Sequence, residues 1–524
     1  MNAEINIEFY GFGLSGCVIK RIIKYGVFCS ASLAAYYHND IRDLSVATLR
    51  FGRTTIAVGE IVFDYNRTLY RGNVDPSSKE YNEIKSAVHL RSAKKLLKLC
   101  EDNGGAFIKV GQHVGALDYL LPIEYVKTMR VLHNHAPQTK FEDVLSVMRE
   151  DFGCEPSAIF ESIDQVPIGA ASLAQVHKAK LIDGPIVAVK VQHPLVKSHA
   201  QVDLKTMEVL FKAVMWYFPE FKLMWLLEET KHNLPCELNF IMEGQNSEKT
   251  AKLLSHLPWL HVPKIFWKQS TSRVLTMEYC EGMDVGELSQ LTDPKLTTKK
   301  REISQKITQL YSEMIFLHGY VHCDPHPGNL RIELDSKGKI VVHLLDHGLY
   351  SQLPEDFRDN YSKFWMSVMR SNVNDIKADA EKLGVGELYG LFACMASGRS
   401  WNAILDGIDK NRKTKEEEEE IKSDASKYMV EITEVLHRVP RQMLLIFKTN
   451  DLLRGLDYML GVRDNTAMFV TMSRSCAAAN YQREYAKSKN LASKFRATLF
   501  MYVAHIRISL YEMYLWWTSR SIAQ

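Results

Sequence analysis

His322-Cys323-Asp324-Pro325-His326-Pro327-Gly328-Asn329 and, 17 residues after Asn329, Asp346-His347-Gly348 decide the reading of this 524-residue chain. Asp324 stands five residues before Asn329, and Asp346 closes the apolar run Ile340-Val341-Val342-His343-Leu344-Leu345. Phosphoryl chemistry on a nucleotide needs these residue types in this order. One aspartate sits beside the acceptor or a water, and an asparagine and a second aspartate ligate magnesium. Upstream, Val187-Ala188-Val189-Lys190 ends a strand-like run on a lysine suited to the α- and β-phosphates. A lone strand-ending lysine says little; the ordered set of three is specific.

The surroundings of that set read as follows. Ile168–Leu181 and Pro185–His193, rich in small and β-branched residues around Asp183-Gly184, predict a hairpin. Residues 78–150 have apolar spacing of three and four with a stop at Asn103-Gly104-Gly105, which predicts helices. Residues 195–256 return to that spacing, with Asn233 and Pro235 suiting a helix start. Ser272–Gly282 reads as a strand leaving a turn. From residue 296 onward the pattern is helical, broken by strand-like Arg331–Leu334 and Lys339–Asp346. Asn411–Lys422, NRKTKEEEEEIK, reads as a solvated helical insertion.

Composition sets outer limits. Sixty-five Lys and Arg against 62 Asp and Glu leave a formal charge of +3, which argues against a nucleic-acid binder. Nine dispersed cysteines with no C-x-x-C pair argue against a disulfide framework or a structural zinc motif. Lys20, Arg21 and Lys24 precede an uncharged stretch at residues 25–37, too short to span a bilayer. That stretch suits a mitochondrial targeting or interfacial segment, although Glu4 and Glu8 depart from a clean presequence, and a surface helix is the other reading. Residues 496–517 are aromatic-rich but carry His505, Arg507 and Glu512, which fits a packed terminal helix or a membrane-surface helix better than a span.

The chain resembles the aarF-domain-containing (UbiB-type) atypical kinases. The residues carrying the resemblance are FIKVGQH (107–113), IGAASLAQVH (168–177), VAVKVQHP (187–194), ELNF and EG (237–244), MEYCEG (277–282), HCDPHPGN (322–329) and LDHG (345–348). They cover roughly residues 80–475. The resemblance implies an α+β, bilobal protein-kinase-like fold with a helical N-terminal extension and a mostly helical C-lobe. Its expected parts are a mitochondrial targeting or anchor segment at 1–45 and a helical extension with the KxGQ motif at 46–155. A kinase-like N-lobe with a helical insertion follows at 156–285, then a C-lobe at 286–475 and a helical tail at 476–524. It further implies ATP and Mg2+ as cofactors and Asp324 and Lys190 as catalytic residues. Ala170, Ala171, Ser172, Lys190, Glu243 and Glu278 would bind the nucleotide, and Asn329 and Asp346 the metal. Lys109 and Gln112 would be active-site or autoinhibitory residues. Glu237 and Asn239 would stand near the metal. The implied setting is lipid or quinone metabolism at a mitochondrial membrane; protein partners are left open.

Several positions depart from the family pattern. Glu237 and Glu243 are about 120° apart on a helix, so only one can pair with Lys190, and the family pattern assigns Glu243. Asn239 stands where the family has aspartate, and Ala174 where it usually has glycine. Gly169 is followed by Ala170, Ala171 and Ser172, whose side chains restrict a phosphate loop that glycines would leave open. Cys323 replaces the arginine found before many catalytic aspartates, and His347 replaces a phenylalanine, with packing against Asp346 expected. Five residues, Leu349–Leu353, separate Gly348 from Pro354, too few for a peptide-holding platform, so protein phosphorylation is not expected. Two alternatives remain: a nucleotide-binding scaffold with little turnover, and a metal-dependent hydrolase using His322, Asp324, His326, Asp346 and His347.

Overall fold

The computed structural model describes residues 41–521 except 71–74, 76–77, 116–120, 135–137, 218–223, 292–293, 335–336, 408–416, 418–420, 422–427 and 463–465. The basic and apolar segment at residues 20–37 lies outside the described residues. Eleven strands are present among the described residues: β1 Phe160–Ile163, β2 Gly169–Ala170, β3 Ala174–Leu181, β4 Ile186–Gln192, β5 Leu260–His261, β6 Val274–Glu278, β7 Met283–Asp284, β8 Tyr320–His322, β9 Leu330–Leu334, β10 Ile340–Leu344 and β11 Tyr350–Gln352. The described chain forms two compact units. One runs up to Gly244 and includes Lys264–Tyr279; the other holds Gln245–Pro263 and the chain from Cys280 onward.

The first unit carries an antiparallel sheet ordered β1-β3-β4-β6, with β2 paired to β3. The expected hairpin is β3–β4, its turn made by Asp183 at φ 52°, a left-handed conformation that aspartate tolerates. Two-residue periodicity sorts β4 onto two faces. Val187, Val189 and Val191 pack on Val144, Val147 and Met148 of helix Phe141–Phe152. Ala188 lies on the other face, with Ala174, Phe240 and Leu275, and Lys190 shares its parity. Ala174, the departure from glycine, therefore has its methyl group inside a core cluster. Helix Lys79–Asn103 starts where Ser78 accepts the Tyr81 N–H and ends at Gly104, φ 65°.

One predicted boundary is displaced. Asn233 and Pro235 do not start a helix; both lie within helix Met224–Glu237. Pro235 falls in its last turn, where the Leu238 N–H still reaches the Leu234 carbonyl. The next helix, Phe240–Leu253, begins after Asn239, whose Oδ1 accepts the Ile241 N–H at 3.2 Å. The capping side chain rather than the proline sets the start.

The second unit is mostly helical, with a four-stranded sheet ordered β5-β10-β9-β7 and the β8–β11 ribbon. Its core is aromatic: Phe316, Tyr361, Phe364, Trp365 and Phe392 are fully buried, and Phe316 stacks on Tyr361 at 5.4 Å. Glu417 corrects the solvated reading of residues 411–422 at one position. It is buried and meets Arg399 at 2.9 Å, because a buried guanidinium requires a charged partner. Among its described residues, helix Leu491–Ser521 packs through one side, burying Ala497 and Ile508, and Ile508 meets Val470 and Ala477. Phe495, Leu499, Tyr502, Ile506, Leu510 and Met513 form an exposed stripe at helical spacing on the other side. No described helix is long and apolar enough to cross a membrane.

Candidate functional site

In the first unit, Lys190 Nζ donates to Glu243 Oε1 at 2.6 Å. The strand alternation that aims Lys190 also sets its ammonium 5.3 Å from the Phe240 ring centroid. Glu243 is 2% exposed, so this charge pair sits in a weakly screened environment. A second, largely enclosed pair uses Glu237, six residues before Glu243: Lys109 Nζ is 2.8 Å from Glu237 Oε2. The two glutamates thus take separate lysines. Gln112 is turned elsewhere, donating to the Leu132 carbonyl at 3.0 Å. Between them, Gly111 lets helix Ala106–Gly115 approach closely; a Cβ there would lie 2.8 Å from Met129 Cε. Asn239 acts as a helix cap, a task aspartate does equally well. The substitution keeps the cap and removes a negative charge.

The small-residue loop is held from several sides. The Ala171 N–H bonds the Ala174 carbonyl at 2.8 Å, and Ser172 is buried. His193 bonds the Ala171 carbonyl through Nε2 at 3.0 Å and the Thr139 hydroxyl through Nδ1 at 2.6 Å. Gln175 accepts the Thr139 N–H, donates to the Thr139 carbonyl and reaches His177 Nε2 at 2.9 Å. His177 Nδ1 donates to the Asp164 carbonyl at 2.7 Å. A continuous hydrogen-bonded chain therefore runs from Asp164 to Ala171. Burial pulls both imidazoles below their ordinary range, against the carbonyls they bond. Ala170 pairs with Gln175 at the root of the loop. Glu278 closes the sheet at β6, its carboxylate accepting the Lys264 N–H at 3.2 Å.

In the second unit, three backbone-anchored turns present Asp324, Asn329 and Asp346. Asn329 Nδ2 donates to the Asp324 carbonyl at 3.0 Å, which leaves the amide oxygen as the ligand end. The Gly348 N–H bonds Asp346 Oδ1 at 2.9 Å. His322 Nε2 bonds the Asp346 carbonyl at 2.7 Å, while its Nδ1 accepts the Asp324 N–H. Burial lowers the His322 pKa, opposed by the Asp346 charge. Asn329 and Asp346 offer oxygen donors, the hard set magnesium takes. ATP and Mg2+ are therefore chemically compatible with these residues.

Two residues here were not foreseen. Lys448, from helix Arg441–Met459, lies 3.2 Å from Asp324 Oδ1 and donates to the Cys323 carbonyl at 3.4 Å. Asn246 ties the Asp346 loop, donating to the His347 carbonyl at 3.0 Å and accepting the Tyr320 hydroxyl at 2.6 Å. No local motif marks either residue; only long-range packing brings them in. His347 packs on Tyr350, with rings 5.9 Å apart and 4° from parallel, and bonds the Leu344 carbonyl and the Tyr350 hydroxyl. Its ring nitrogens and those of His322 are engaged within the fold, which removes two of the three histidines of the hydrolase alternative as metal ligands.

The segment after Gly348 is short and pinned. Cys323 N–H bonds the Leu349 carbonyl, Tyr350 pairs with His322 across β8–β11, and the Leu353 N–H bonds the Gly319 carbonyl at 2.7 Å.

A family profile described as the ABC1 atypical kinase-like domain matches residues 131–380. AarF domain-containing protein kinase 1 of Gallus gallus is 45% identical over 95% of this chain and 96% of its own length. A putative ABC1 protein of Arabidopsis thaliana is 38% identical over 95% and 96%. Among solved structures, the Rv3197–erythromycin complex from Mycobacterium tuberculosis matches 72% of this chain and 94% of that one, at 21% identity and TM-score 0.47. The family profile and the curated relatives make the fold kinase-like.

Proposed function

The chain belongs to the ABC1/AarF atypical kinase family, and from that premise we propose that it is a Mg-ATP-dependent phosphotransferase or ATPase acting on a non-protein acceptor. The observation that carries the proposal is the Lys190–Glu243 pair at 2.6 Å, which fixes a lysine for nucleotide phosphates. Bound Mg-ATP supplies the transferable phosphoryl group and neutralises its developing charge. Asn329 and Asp346 hold the metal through oxygen atoms. Asp324 orients the acceptor hydroxyl or a water and takes its proton, with Lys448 holding the carboxylate in place. The pinned Leu349–Leu353 segment leaves little chain with which to grip a peptide, which favours a small-molecule or lipid acceptor or water.

The proposed setting is a mitochondrial membrane surface, with a lipid or quinone-related acceptor as the metabolic context. Its supports are the basic and uncharged residues 20–37 and the exposed stripe of helix Leu491–Ser521. Lys494, Arg496 and Arg507 flank that stripe, the pattern of a helix lying on an anionic bilayer. A nucleotide-binding scaffold with little turnover is the second reading. Asn239 favours it, and so does the Ala171 N–H, which bonds Ala174. Purified protein with ATP and magnesium separates the two. Turnover abolished by Asp346→Asn supports the enzyme, and tight nucleotide binding without turnover supports the scaffold. Turnover unaffected by Asp346→Asn removes the catalytic assignment.

A further inference from the structure

A cluster with different chemistry lies in the same unit as Asp324, Asn329 and Asp346. His261, Cys280 and His343 bring three ligand atoms within 4.8 Å of one another. Three separate stretches of chain build it. His343 on β10 stands directly opposite His261 on β5 in the parallel pairing of these strands, with rings 5.1 Å apart and edge-on. Cys280 comes from the loop between β6 and β7. That loop is pressed onto β9: Gly282 has φ 111°, and a Cβ there would lie 2.7 Å from the Ile332 carbonyl oxygen. Arg331 Nη1 donates to the Gly282 carbonyl at 2.6 Å, which fixes the loop further. Cys280 and His343 are buried, and His261 is half-buried.

We propose that His261, Cys280 and His343 form a binding site for a thiophilic divalent cation, Zn2+ in chemical class, with the fourth position left to water. Two imidazoles and a thiolate are a donor set for zinc and not for magnesium or calcium, which take oxygen. A tetrahedral zinc ion needs ligand atoms roughly 3.3–3.8 Å apart, given bonds of about 2.0–2.3 Å. The cluster reaches that spacing with a small closure of side chains. An outer carboxylate supports the assignment: Glu333 Oε2 lies 2.9 Å from His343 Nε2. This contact orients the imidazole, raises its basicity and assigns Nδ1 to the metal, the arrangement found around metal-bound histidines. Binding converts the Cys280 thiol to thiolate, and its proton goes to solvent. The chain leaves this unit after Pro263 and returns at Cys280, so the metal would join the strand before the exit to the residue at the return.

The test uses full-length protein, stripped with a chelator and titrated with Zn2+ alone and with Co2+ alone, without nucleotide. Wild type should bind one equivalent of Zn2+ with sub-micromolar affinity. Co2+ should give a thiolate-to-metal charge-transfer band together with tetrahedral ligand-field bands. Cys280→Ser should remove the charge-transfer band, and His261→Ala should weaken Zn2+ binding at least tenfold. Glu333→Gln changes a half-exposed side chain and leaves the core intact; it should weaken binding about ten- to a hundredfold. Cys154→Ser, at an exposed cysteine elsewhere, should change nothing. Folded wild type that takes up no zinc overturns the proposal, as does a charge-transfer band that survives Cys280→Ser. Because no readout depends on turnover, the result is independent of the proposed phosphoryl chemistry.

Discussion

Lys109 and Glu237 form an ion pair at 2.8 Å with both side chains almost wholly enclosed, 13% and 11% exposed. The pair links the KxGQ helix to the end of helix Met224–Glu237, and so makes Glu237 a partner of Lys109. Removing one member of an enclosed pair leaves a charge in a poorly solvated place. Lys109→Ala should therefore lower unfolding stability by about 3–5 kcal/mol. The double variant Lys109→Met/Glu237→Leu should recover most of it. Urea unfolding of the three proteins checks this, and a Lys109→Ala loss below about 1 kcal/mol would show the pair to be open to solvent.

Glu243→Gln removes the charge that positions Lys190. A hydrogen bond to a charged group contributes about 1.5–3 kcal/mol, so Mg-ATP affinity should fall roughly ten- to a hundredfold. Calorimetric titration measures it. Wild-type affinity in this variant would sink the assignment of Lys190 to nucleotide phosphates.

Asp324→Asn should reduce turnover by about 10²–10⁴, the usual range for a positioned base. Lys448→Ala should lower kcat with little change in the KM for Mg-ATP, and Lys448→Arg should restore part of the rate. A variant that raises only KM would place Lys448 in nucleotide binding instead.

Acid should weaken the first unit through His177 and His193. Burial lowers both folded pKa values below the ordinary 6.5. The unfolded chain therefore binds protons first as pH falls, and stability drops from about pH 6.5 downward until the folded values are passed. Each group contributes a slope of at most about 1.4 kcal/mol per pH unit. The neutral form is the one the network needs, since protonating His177 Nε2 would set a donor against the Gln175 amide. His177→Gln should flatten the stability profile between pH 5 and about 6.5, as read by thermal unfolding; an unchanged slope would contradict this.

Full-length protein should float with vesicles containing anionic lipid and not with neutral ones. Replacing Phe495, Leu499 and Ile506 by serine should reduce binding more than tenfold, since each exposed apolar side chain contributes on the order of 1.5–3 kcal/mol when buried. Lys494→Glu/Arg507→Glu should remove the preference for anionic lipid. Equal flotation of all variants would place the contact elsewhere.

Much of the fold was legible because its signals are local. The Asp183-Gly184 turn flanked by β-branched runs specifies β3–β4, and Ser78 with Gly104 brackets helix Lys79–Asn103. Pro235 misled because proline constrains only its own turn, whereas the cap at Asn239 decides where a helix begins. Residues 496–517 read as a packed terminal helix or a membrane-surface helix, and the helix both packs through Ala497 and Ile508 and leaves Leu499, Tyr502, Ile506, Leu510 and Met513 exposed. Periodicity shows that a face exists and not what covers it.

By itself the sequence determined the order of Lys190, Asp324, Asn329 and Asp346 and their residue types. Those are properties of spacing and residue type, which hold whatever the rest of the chain does. The one helix expected to carry both Glu237 and Glu243, by contrast, is two, Met224–Glu237 and Phe240–Leu253. Only the tertiary structure decided the partners. It gave Glu243 to Lys190 and Glu237 to Lys109, brought Lys448 to Asp324 across 124 residues, and gathered His261, Cys280 and His343 from three stretches. Such pairings follow from how strands register and helices pack, and no window of neighbouring residues contains that information.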